Sequence, residues 1–163
     1  MDNLNYLDIF QKSVNQLDRK LFSQKQLDLK VGIWVNSVVL KIQKKSWIKE
    51  KPFEKGIFFS VWINDRSIDN IRLNYNIHAL KLREMANYSI KSREFAEVFR
   101  SKFKPFEKQW PNISVDFGPQ TLMEGWVSIG INNLEGVIKE LAYKFLAIDH
   151  IIDELLEERK RII

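Results

Sequence analysis

Asp116 and Glu124 are the two carboxylates of this chain whose setting most suggests chemistry. Gly118-Pro119 between them is a turn signal. Ile113, Val115 and Phe117 before it, and Met123, Val127, Ile129 and Ile131 after it, read as two paired strands. With Phe117 and Met123 both facing inward, Asp116 falls opposite Glu124. Facing carboxylates repel, and a bound cation relieves them. A phosphodiester-cleaving hairpin of the Asp…Glu-x-Lys kind adds a lysine two residues beyond the Glu to activate water. Here that position is Trp126. The metal-dependent enzyme is therefore incomplete, and we expect no catalytic residue, metal or cofactor.

The remaining reactive side chains are few. His78 alternates with Arg72, Asn74 and Asn76 along one segment, which suits a ligand contact. With Asp116 and Glu124, Arg72 and His78 complete the one cluster an enzyme could use. His150 and Glu154 stand one helical turn apart, and one histidine among surface acids reads as a solvated face. The absence of cysteine excludes disulfides, thiolate metal sites and a cysteine nucleophile. No phosphate-cradling glycine motif and no Gly-x-Ser-x-Gly elbow occurs.

Tryptophan and lysine give two further constellations. Trp34, Trp62 and Trp126 fall on the polar phase of alternating segments, together with Arg72, Asn74, His78, Asp116 and Glu124. A sheet face of this mixed kind, if uncovered, suits ligand or partner binding. Separately, residues 41–55 hold six lysines against two glutamates, a local +4 around Trp47. Residues 81–108 hold eight Lys or Arg against four Glu, another +4. Lys41, Lys44, Lys45 and Lys49 could meet phosphates while Trp47 stacks on a base, the pattern of a nucleic-acid contact that continues through 91–108. The same lysines also suit a solvated edge that blocks aggregation.

The elements that must position these residues follow from periodicity. Leu7, Phe10, Val14, Leu17 and Leu21 recur at helical steps. Leu27 to Val35 and Val38 to Ile42 alternate as a hairpin, Ile57–Ile63 is apolar on both phases, and Ile71, Leu73, Tyr75 and Ile77 alternate cleanly. Phe95, Phe99 and Phe103 stripe a helix that Ser92 can cap and Pro105 ends. Leu134, Ile138, Leu141, Phe145, Ile148, Ile152 and Leu155 then keep a heptad spacing. At about 1.5 Å per residue, a helix over 134–160 spans roughly 40 Å. The order is α-β-β-β-β-α-β-β-α, an α+β fold with about six antiparallel strands and helices mainly on one face.

That long helix has two readings, a lid packed on the sheet or the seam of a homodimer; its surplus Leu146, Ile151 and Leu156 widen the stripe toward the lid. The chain has 163 residues, a net charge of +5 and 45% hydrophobic residues, as expected of one α+β domain over 1–163. Met1–Phe10 lacks a signal-peptide pattern and no apolar run approaches the length of a membrane span, so a soluble cytoplasmic protein is expected. The abundance of Lys, Ile and Asn suggests an AT-rich bacterial genome. The composite expectation is a non-enzymatic module binding a protein or itself through the tryptophan face or the long helix, with nucleic acid the alternative partner and no membrane.

Overall fold

The computed structural model of the chain describes residues 2–48, 56–130 and 132–162. Helix α1 (Asn3–Asn15) starts on Asp2, whose carboxylate accepts from the Asn5 amide. Asp18 caps a second, separate helix, α2 (Arg19–Gln24), so the N-terminal helical stripe is carried by two segments. Strands β1 (Asp28–Trp34), β2 (Ser37–Gln43), β3 (Ile57–Ile63) and β4 (Arg72–Ala79) follow. Between β3 and β4, the expected turn winds into the short helix α3 (Asp65–Asp69), because Asn64 and Ser67 form a reciprocal capping box. Helix α4 (Ser92–Phe103) precedes β5 (Thr121–Ser128), and α5 (Leu134–Phe145) and α6 (Asp149–Glu157) end the chain. Lys91 stands at the cap position of α4, with no side-chain cap bond there.

The sheet is a five-stranded antiparallel meander in chain order, β1-β2-β3-β4-β5. Its aliphatic face carries Leu40, Phe59, Val61, Leu73, Tyr75 and Ile77, all buried. Phe145 of α5 stacks on Phe59 with centroids 4.5 Å apart, and Trp110 packs on Phe59 and Tyr75. Phe95, Phe99 and Phe103 of α4 join the same core. Offset and tilted ring pairs of this kind add about 0.5–1.5 kcal/mol each beyond simple burial.

Two expectations need correction. The sixth strand, 113–117, shrinks to one bridge between Ser114 and Glu124. Asn112 enters the left-handed region after Pro111, and the Asp116 amide donates to the Ser114 hydroxyl, so the backbone turns away from a ladder. The C-terminal helical run is present but interrupted. Over 146–148 the amides donate three residues back, to the carbonyls of Tyr143, Lys144 and Phe145. Every member of the heptad stripe from Leu134 to Leu155 is nonetheless buried within the chain.

A cluster of charges marks that interruption. Asp149, only 2% exposed, accepts from Lys25 at 2.8 Å and lies 3.4 Å from Lys44. Lys44 also pairs with Asp153, whose other oxygen accepts from the Trp47 indole at 2.9 Å. Lys25 donates as well to the Leu146 carbonyl, one of those freed by the break. The charges are thus mutually satisfied, the condition for burying them at all. No helix among the described residues is long and apolar enough to cross a membrane.

Candidate functional site

Strand alternation sends the aliphatic residues to the helices and the remainder to the second face. Register sets that face in rows. Lys30, Lys41, Ser60, Asn76 and Glu124 lie across β1 to β5, and the next row is Gly32, Val39, Trp62, Asn74 and Trp126. Arg72 and Ser128 pair at one end of the sheet, and His78 and Thr121 pair toward the other. Among the described residues, α2 flanks this face at the β1 edge, and α3 touches it at the start of β4 through Ser67. Trp34, Trp62 and Trp126 are half-buried on it.

Cations order the rings. The Lys41 ammonium lies 4.6 Å from the Trp34 ring centre and 4.5 Å from that of Phe58. Trp34 folds back over Gly32, and a Cβ there would press into the indole. The Arg72 guanidinium sits 3.7 Å above Trp126. Each such contact contributes about 0.5–1 kcal/mol at partly exposed sites and fixes a large side chain before any partner arrives.

Between these pairs runs a chain of polar contacts. The Ser60 hydroxyl donates to Asn76 Oδ1. Asn76, 2% exposed, donates through Nδ2 to Glu124 Oε1 at 3.3 Å and faces His78 Nε2 at 3.0 Å. This fits the His78 tautomer with Nε2 as acceptor and Nδ1 protonated. Burial holds the His78 imidazole below its ordinary value of 6.5, against the raising effects of the Gln120 backbone and Glu124, while Lys41 adds to the lowering. Burial likewise raises the Tyr75 phenol on the opposite face, where its hydroxyl donates to the Pro111 carbonyl at 2.6 Å. The Ser60 hydroxyl is committed to Asn76, and the Thr121 hydroxyl lies 3.5 Å from His78 Nδ1.

The structure thus gathers Trp34, Trp62, Arg72, Asn74, His78, Glu124 and Trp126 on one face and leaves Asp116 outside. Ser114, not Asp116, stands opposite Glu124, and Asp116 is solvent-exposed. The facing pair of carboxylates does not form, and no group of three or more potential metal ligands occurs among the described residues. The basic segments separate by role. Trp47 is fully buried and Lys44 is 9% exposed inside the Asp149 cluster, so neither presents a surface to nucleic acid. Lys45 is exposed and Lys41 half-buried, while Lys49 lies outside the described residues. In α4, Arg100 donates to the carbonyls of Phe117, Gly118, Thr121 and Leu122, and Lys102 pairs with Glu154 and Glu158. His150 is exposed, with its ring edge-on to Phe106.

Two residues of this region carry no clear signal in the sequence. Val35 opens the β1–β2 turn and Ile71 directly precedes β4, both at the Trp34–Arg72 end of the sheet, and both adopt left-handed backbone, with φ of 48° and 55°. Val35 is 96% and Ile71 62% exposed. The one hint is Val-Asn in a two-residue hairpin turn that favours Asn-Gly. No family model, no curated protein and no solved structure matches this chain.

Proposed function

We propose that this chain is a non-catalytic interaction module whose working surface is the second face of the sheet and whose partner is a protein. The observation that carries the reading is the company kept there: three half-buried indoles, two of them under cations, beside two β-branched side chains exposed from strained turns. Trp and Arg are the residue types that dominate binding energy at protein interfaces. Lys41 and Arg72 already ordered on rings reduce the side-chain entropy lost on association. Their charge favours a partner that presents acidic groups around an apolar centre.

The left-handed turns support the same reading. A β-branched residue at positive φ is destabilising, and here Val35 gains almost no burial in return and Ile71 only a partial one. Retaining valine and isoleucine at such positions makes sense where an exposed apolar side chain is itself useful.

The test is comparative capture with tagged full-length chain. Arg72→Ala with Trp126→Ala should lose proteins that the parent chain retains, with the thermal midpoint lowered by only a few degrees. Identical retention by both chains contradicts the reading.

A further inference from the structure

A cleft of about 950 Å³ opens beside this face, between α2 and the edge hairpin β1–β2. That is ample for a small-molecule ligand, whose sites run to roughly 300–1,000 Å³. Among the described residues, Arg19, Lys20, Lys30, Lys41 and Lys45 line it, with Asp28 the one carboxylate. Its remaining wall includes Phe22, Leu27, Leu29 and Ile48.

The charge is what needs explaining. None of the ion pairs among the described residues uses Arg19, Lys20, Lys30 or Lys45. Lys25 and Lys44, from the same stretches of sequence, are instead committed to Asp149 and Asp153. The fold has therefore sorted its lysines into those that hold the core together and those that crowd this cleft. Lys30 and Lys41 stand directly opposite on adjacent strands.

We infer that the cleft binds a nucleoside phosphate, free or as a unit of a single strand. Several cations around one cavity suit the multiple charges of phosphate groups better than a lone carboxylate. The apolar wall, with Leu29 and Ile48 at its surface, suits a planar base. The inference does not rest on the protein-binding reading of the sheet face.

Fluorescence anisotropy of the full chain with a labelled 12-nucleotide single strand, in competition with ATP, tripolyphosphate and a 12-residue polyglutamate, tests it. Lys20, Lys30 and Lys45 are exposed, so their combined change to Ala should leave the thermal midpoint in place. It should weaken strand binding at least tenfold and flatten the slope of log K against log salt by about 2, at about 0.7 for each phosphate no longer neutralised. Lys91→Ala, Arg93→Ala and Lys104→Ala together remove the same charge from around α4 and should leave both quantities unchanged. Competition by ATP at a comparable concentration of nucleotide assigns the free nucleotide; competition only by unlabelled strand assigns the polymer. Arg72→Ala with Trp126→Ala should leave binding intact, which separates this site from the protein-binding surface. The inference fails if neither nucleotide form binds at low salt. It also fails if the control triple loses as much, or if tripolyphosphate or polyglutamate competes as well as the nucleotides do.

Discussion

At the scale of single residues, the buried and the strained positions make opposite predictions. Asp149 holds two lysines at the break between α5 and α6. Its change to Ala leaves buried positive charge poorly compensated and should cost about 3–5 kcal/mol by urea denaturation. His78 yields a pH dependence with a definite sign. Its folded value lies below the ordinary 6.5, so the unfolded chain takes up this proton first as pH falls. The stability tied to the neutral ring is complete above pH 6.5 and is lost as pH drops below that toward the folded value. Between pH 7.5 and 5.5 the parent should therefore lose more stability than His78→Gln, and equal losses would contradict the buried neutral imidazole. The role of Asp149 was not open to sequence reading. Its lysine partners, Lys25 and Lys44, lie at the other end of the chain, and nothing local in Asp149-His150-Ile151 announces them. His78 was legible, because an alternating strand fixes which face a residue takes.

At the scale of elements, alternation and stripe were the reliable guides, and departures came where side chains bond to backbone. Four strands and the α4 stripe follow their periodicity, since those patterns are set by adjacent residues. The 113–117 segment has the same alternation, yet Pro111, the left-handed Asn112 and the Ser114 hydroxyl stop it from pairing beyond one bridge. The break in the C-terminal helix carries no Gly or Pro; Lys25 reaches it from the other end of the chain. Close approach of elements also fixes Gly125, which faces Tyr75 across β4 and β5. A Cβ at 125 would collide with the Tyr75 hydroxyl. Gly125→Ala should destabilise by about 1–3 kcal/mol. Tyr75→Leu removes both the hydroxyl and the ring carbon next to it, so the double variant should cost less than the sum of the two single changes, and a strictly additive double variant would refute the steric account.

At the scale of the whole molecule, one sheet face is spent on the aromatic core and the other is left half-open with ordered tryptophans. The members of that face were legible in the sequence, apart from Asp116, because register follows from alternation. Lysines committed to the interior could not be told from those in the cleft, since that sorting depends on which acids the C-terminal helices bring within reach. On the proposed reading, the second face is a surface kept for a partner at some cost in stability. The most direct measurement takes Val35→Asn with Ile71→Asn, and reads the thermal midpoint and protein capture together. Asn tolerates left-handed backbone, so each change should stabilise by about 1 kcal/mol, which at roughly 2–4 °C per kcal/mol raises the midpoint by several degrees. The stabilised chain is predicted to lose partners that the parent retains. A chain that is stabilised and retains every one of them would contradict that claim.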